Sequence, residues 1–338
     1  MHVGASDQAV PVEVTPAGQT VPIPTPRRQS GPPRVLTLVL RNPKATVGAA
    51  ILLTFGAVAL LAPVIAPGDP NDFLSRPHLA PSWEHPLGTT GRGQDVLDQT
   101  IWGTRVSLGV GIAVGIMTTI VGIVVGMTAG YFGGKIDDAL MLVTNVFLII
   151  PGLPLLVTLA AFLSSDSVVY LALVLAVTGW AWPARILRSQ TLSLREKDFV
   201  SAARVSGERN VRIIIQEIMP NMMSIVAASF LGSTIYAIGA EAGLEFLGLG
   251  NPSVVSWGTI LYWAGNDAAL LTGSWWTIVP AGTCIALVAF GFAMLNYAID
   301  EITNPRLRAL RESSKVLKRA SLRGSQIRAT PVVRGAGS

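Results

Sequence analysis

The sequence predicts an all-α integral membrane protein with six transmembrane helices and a cytoplasmic helix-turn-helix loop. Three observations predict it. Half of the 338 residues are hydrophobic and only 13% are charged, a composition that belongs to bilayer-embedded chains. Six apolar runs are each long enough to cross a hydrocarbon core of about 30 Å as a helix. The basic residues gather in alternate gaps between those runs, which fixes an orientation.

The first 33 residues hold seven prolines and little apolar sequence, so 1–33 reads as a disordered cytoplasmic tail. No basic start leads directly into an apolar run, so the tail is not a signal peptide. The runs fall at 46–66, 107–129, 140–163, 168–187, 218–240 and 275–298. They divide the chain into a first span with an extracytoplasmic segment (34–104), a transmembrane core (105–300) with a coupling loop at 189–217, and a basic tail (301–338). With the N-terminus inside, the cytoplasmic pieces carry Arg27, Arg28, Arg34, Arg41 and Lys44, then Lys135, seven Lys and Arg between Arg185 and Arg212, and nine from Arg306 to Arg334. The outside pieces carry three: Arg76, Arg92 and Arg105. The reading is a multi-pass protein of the cell membrane with both termini cytoplasmic. Orientation and anionic lipid headgroups explain the basic tail without nucleic acid.

Several function classes drop out. Cys284, the single cysteine, lies in an apolar run as a buried small hydrophobe, and with His2, His78 and His85 it offers no metal-ligand cluster. No G-x4-G-K-[ST] phosphate loop is present, so ATP is not hydrolysed by this chain. A membrane enzyme lacks a paired His and carboxylate in any span. An ion-coupled carrier or channel, the alternative from another class, places ionisable groups within its spans, and the six runs contain essentially none.

In the second run Gly111, Gly115, Gly122, Gly126 and Gly130 clear one helix face for a close neighbour. Pro151 and Pro154 kink the third, and Pro183 with Trp180 and Trp182 marks the inner end of the fourth. The loop that follows reads Ser201-Ala202-Ala203-Arg204-Val205-Ser206-Gly207-Glu208 and closes at Ile218-Met219-Pro220. Small Ala202 and Ala203 leave room for a partner, and Gly207 is suited to the left-handed end of a helix. Val211, Ile214, Ile215 and Ile218 form an apolar stripe. Spacing alone leaves a solvated loop equally open. Beyond the fifth run, Glu241 and Glu245 stand four apart and share a helix face. They read as a contact for a cationic substrate group or a receptor's basic residue, or as a hydrated outer rim. Trp257, Tyr262 and Trp263 read as anchors at the outer interface.

The loop resembles the E-A-A-x3-G loop, with its closing apolar-x-Pro, of permease subunits in ABC-type importers. Ala202, Ala203, Gly207 and Ile218-Met219-Pro220 match, and Ser201 stands where the family has Glu. His85-Pro86-Leu87-Gly88-Thr89-Thr90, Gln94-Asp95-Val96-Leu97 and Trp102-Gly103-Thr104-Arg105-Val106-Ser107-Leu108 resemble segments of the C-type permease of dipeptide and oligopeptide importers, with Thr90 replacing an Asp and Gln94 an Arg. Glu241-Ala242-Gly243-Leu244-Glu245-Phe246-Leu247-Gly248-Leu249-Gly250 and Ser256-Trp257-Gly258 are similar to E-A-x-L-x-F-L-G-L-G and S-W-G of the same family. The likeness covers about residues 34–312. It implies the type I ABC importer permease fold, alternating access, and half of a translocation path for di- or oligopeptides, with nickel complexes or glutathione as the alternative cargo. It also implies a second permease subunit, two ATPase subunits or domains that bind the ATP and Mg, and an extracytoplasmic substrate-binding protein. Ala202, Ala203, Val205, Ser206, Gly207, Glu208 and Pro220 then form the ATPase-coupling loop.

Overall fold

A computed structural model describes residues 42–73, 75–162 and 167–303. The two terminal tails read from the sequence, 1–33 and most of 301–338, lie outside the described residues. The described residues are helical, apart from loops and one isolated antiparallel bridge between Thr89 and Asp95.

Helix α1 (Pro43–Ile65) starts where Asn42 caps it and Pro43 presets the first turn. Helix α2 (Val96–Phe132) runs 37 residues, or about 55 Å at 1.5 Å per residue. It begins eleven residues before the apolar run because the Asp95 carboxylate accepts from the Leu97 and Asp98 backbone N–H groups and starts the helix early. Helices α3 (Gly134–Ile149) and α4 (Gly152–Phe162) follow, then α5 (Val168–Gly179) and α6 (Ala181–Arg195). Next come α7 (Asp198–Val205), α8 (Asn210–Arg212), a π-helical segment (Ile213–Ile218), α9 (Met219–Asn221) and α10 (Met223–Phe246). Helix α11 (Trp257–Asn266), a 3-10 turn (Trp275–Thr277) and α12 (Val279–Thr303) complete the order.

Five helical stretches are long and apolar enough to cross a membrane, and the sixth expected span is the pair α3 and α4, bent by 89°. The sequence predicts a kink there, and the structure breaks the helix outright. Pro151 supplies no N–H, and Ile150 before it is extended at φ −66°, ψ 128°, as a residue preceding proline prefers. The two halves of the pair touch different parts of the bundle. Asp137 of α3 binds Arg188 midway along α6, and Ala160 of α4 lies beside Leu249 and Asn251 just past α10.

The glycine row on α2 does what its spacing predicts, against two neighbours in succession. A Cβ on Gly111 or Gly115 would strike Ile238 or Thr234 of α10, and one on Gly122, Gly126 or Gly130 would strike the Pro183–Thr191 stretch of α6. One face of a single long helix therefore seats α10 along one half and α6 along the other. At the far side, α1 crosses α12 where a Cβ on Gly48 would meet the Gly291 carbonyl at 2.6 Å.

Three apolar clusters organise the interior. Val110, Val114, Leu175 and Leu244 join α2, α5 and α10. Leu108, Trp257, Val288 and Phe292 join α2, α11 and α12. Met127, Leu187, Val200, Ile213, Ile218 and Met222 seat the segment between α6 and α10 on the bundle.

Candidate coupling hairpin and buried carboxylate pair

Helix α7 ends in a Schellman cap. The Glu208 N–H donates to the Ala203 carbonyl at 3.1 Å and the Gly207 N–H to that of Arg204 at 3.0 Å. This geometry needs a left-handed residue, and Gly207 has φ +78° with open space around it. Its constraint is therefore conformational and not steric. Ala202, Val205, Ser206 and Pro220 are exposed, and Ala203 and Glu208 are partly covered. Glu208 pairs with Arg212 at 2.8 Å, one helical turn on.

The hairpin is clamped along its other face. Val200, Ile213, Ile218 and Met222 are fully buried. Tyr131 donates its hydroxyl to Asn210 at 3.0 Å, Arg204 lies over the Tyr131 ring at 5.1 Å, and Arg195 reaches the Gly130 carbonyl at 3.2 Å. Arg188 grips both carboxylate oxygens of Asp137, with its Nη2 at 2.6 Å. The ends of α2 and α6 thus hold the hairpin, and Asp137 ties α3 to α6.

The stripe expected at Val211, Ile214, Ile215 and Ile218 takes a different form. Val211 and Ile215 are 65% and 54% exposed, and the buried pair is Ile213 with Ile218. Five residues would stand about 140° apart on an α-helix, but the π segment closes i→i+5 and brings both onto one face. An α-helical period assigns the wrong isoleucine to the core. With Val205 at 89% exposure, Val211 and Ile215 form an apolar surface open to a partner.

At the opposite end of the bundle Glu241 and Glu245 are 0% and 2% exposed, inside α10. The apolar run of the sequence stops at 240, but the helix continues to Phe246 and carries both carboxylates under cover. They form no hydrated rim. Ser107 of α2 donates to Glu241 at 3.2 Å, and Ser256, the N-cap of α11, donates to Glu245. Ser107 in turn accepts the Trp257 N–H at 3.2 Å. A Cβ on Gly258 would sit 2.6 Å from the Glu245 Oε2. The Glu241–Glu245 stretch and Ser256-Trp257-Gly258 are therefore one constellation, in which serine donates, tryptophan fills and glycine makes room. Trp257 is no interface anchor. It is fully buried, edge-on to Phe55, and its indole donates to the Thr100 carbonyl at 3.3 Å. The pairing of these two motifs was readable in principle from two carboxylates that need donors and a serine-rich turn that follows.

The loop before α2 packs over this end. His85 bridges Asp95 and Ser75 through its two ring nitrogens, each at 2.7 Å. Thr90 and Gln94, which replace the charged pair of the resembled pattern, remain partners: the Gln94 N–H donates to the Thr90 hydroxyl at 3.1 Å. Arg92 stacks over Trp263 at 4.1 Å, and Trp276 donates to the Thr89 carbonyl at 3.1 Å.

A multi-span bundle bearing a packed hairpin with an open apolar face at one end is the architecture expected of a transport permease. Residues 122–309 match the family described as the binding-protein-dependent transport system inner membrane component. The chain belongs to that family. It is 33% identical over 272 residues to the dipeptide transport system permease protein DppC of Bacillus subtilis, covering 79% of this chain and 83% of that one. It is 34% identical over 280 residues to the oligopeptide transport system permease protein OppC of Mycobacterium bovis, covering 82% and 95%. A DppC of Alkalihalophilus pseudofirmus is 30% identical over 306 residues, covering 85% and 98%.

Proposed function

We propose that the chain forms half of the translocation path of an ATP-driven importer of di- or oligopeptides. Its partners in this reading are a second permease subunit, two ATPase subunits or domains that bind ATP and Mg, and an extracytoplasmic binding protein. The hairpin end faces the cytoplasm with both termini, and the end that holds Glu241 and Glu245 faces outside. The observation that carries the reading is the two-faced hairpin. One side, through Val200, Ile213 and Ile218, is fixed to the spans, while Val205, Val211 and Ile215 are left for an ATPase cleft. A push on the open face reaches α2, α3 and α6 without passing through a soft joint. Closure of the ATPases on ATP then rocks the spans between inward-open and outward-open states.

Glu241 and Glu245 lie within a span, so an absence of ionisable groups is no argument against an ion-coupled carrier. Both, however, are held by serines between α2, α10 and α11. The test is disulfide cross-linking of Val205→Cys, in a Cys284→Ser background, to cysteines in the ATPase subunit. Cross-links that change with nucleotide support the reading. Uptake by this chain alone, driven by an ion gradient, would overturn it.

A further inference from the structure

A cavity of about 680 Å³ opens between α6, α10 and α12. Trp182 and Pro183 form one wall, Ser229, Ser233 and Tyr236 a second, and Asn296 a third. Ser229, Ser233 and Tyr236 are spaced i, i+4, i+7 and share one face of α10. Gly232 between them has open space where a side chain would be.

The hydrogen bonding of this wall differs from that of several threonines elsewhere in the spans. Thr118, Thr178, Thr191 and Thr234 each donate to the carbonyl of the residue four before them, the usual way a hydroxyl is satisfied in a bilayer. Among the described residues the hydroxyls of Ser229, Ser233 and Tyr236 have no partner, and the Asn296 Oδ1 is buried without one. Four neutral groups from two helices thus converge unpartnered on one cavity. Facing lipid they would be costly, so this wall calls for a hydrogen-bonding neighbour.

The guest's chemistry follows from the groups. The lining holds no Lys, Arg or His, and its one charged residue is Asp300, at the α12 end. Hydroxyls and a carboxamide both donate and accept, as a peptide main chain does. The four residues from Ser229 to Ser233 rise about 6 Å along α10, close to the roughly 6.8 Å over which an extended chain repeats on one side. Resting on the reading of the chain as a peptide permease, we propose that Ser229, Ser233, Tyr236 and Asn296 hydrogen-bond the main chain of an extended peptide in transit, and so accept peptides irrespective of side-chain charge.

The test uses the complete transporter in proteoliposomes, with uptake of Ala-Ala-Ala, Ala-Lys-Ala, Ala-Glu-Ala and an Ala-Ala-Ala methylated on its central amide nitrogen. The ratio of variant to wild-type uptake for each peptide cancels the receptor's own selection. Ser229→Ala with Ser233→Ala lowers the first three by a similar factor, about tenfold, and leaves the methylated peptide near a ratio of one. A loss that tracks side-chain charge, or no loss, overturns the proposal. In a Cys284→Ser background, Ser233→Cys reacts with a water-soluble thiol reagent and Ala-Ala-Ala slows the reaction. A Ser233→Cys that never reacts, or that cross-links to a helix of the second permease, shows a subunit contact in place of a peptide wall. Failure of the chain to co-purify with an ATPase subunit sinks the permease reading itself, a separate outcome from any of these.

Discussion

At Gly207 the backbone turns at φ +78°, and nothing stands within 4 Å of where a Cβ would be. A non-glycine residue in this conformation costs about 1–2 kcal/mol, roughly a 5- to 30-fold change in the population of the intact turn. Gly207→Leu therefore inserts normally yet loses uptake while ATP hydrolysis continues, and Gly207→Asn, which tolerates the left-handed region, loses much less. Uptake and ATPase rate measured on the same proteoliposomes check both. Gly258 is the opposite case, ordinary in conformation and crowded by the Glu245 carboxylate and the Ala242 Cα. Gly258→Ala is expected to destabilise by about 1–3 kcal/mol through overpacking, and Gly239→Ala, with open space around it, is not. Apparent melting temperatures in detergent separate the two. Both glycines were visible in the sequence, but only Gly207 announced its reason, because a helix stop is local. Gly258 owes its identity to a carboxylate thirteen positions earlier.

Among the elements, the π segment is the one that sequence periodicity misassigns. Removing one residue there, the exposed Gln216, restores an α-helical count and turns Ile218 about 100° relative to Ile213. The variant is expected to insert but to lose the clamp, with faster proteolysis between α7 and α10 than in wild type and little uptake. Equal protease resistance would show that the winding is incidental. The loop over the far end carries a pH dependence. Burial holds the Asp267 carboxyl above its ordinary range, against the opposing pull of Arg92 and His78. The folded state thus binds this proton more readily than the unfolded chain does. Its contribution favours folding at acid pH and is lost as pH rises through the folded value. Asp267→Asn should flatten that acid-side trend, read as melting temperature against pH. The helix caps that shape these elements were legible, since Asn42, Asp95, Ser167 and Ser256 all sit where a helix-starting residue belongs. The π winding was not, because it goes with the packing of Ile213 and Ile218 beside Leu187 and Met127, which come from distant helices.

For the whole molecule, the count of crossings turns on α3 and α4. With the bent pair crossing once, the proposed topology puts both termini on one side, as the distribution of Lys and Arg favours. In a Cys284→Ser background, Lys135→Cys should then label with a membrane-impermeant thiol reagent only from the hairpin side, and Ser167→Cys only from the other. Labelling of both from one side would make the pair a re-entrant loop. Five of the six runs were legible as long apolar helices because hydropathy is a property of each run alone. Burial of Glu241 and Glu245 was not, because it depends on α2 and α11 arriving with Ser107 and Ser256. Helix α2 adds a last consequence. Its glycine face is pressed against α6 near one end and α10 near the other, and its first turn is tied through Asp95 to His85. A rod gripped so closely along its length cannot tilt at one tip and stay still at the other. In the proposed importer a stroke on the hairpin side is expected to shift the surface where His85 sits, checked as a change in binding-protein affinity on adding nucleotide to the assembled transporter.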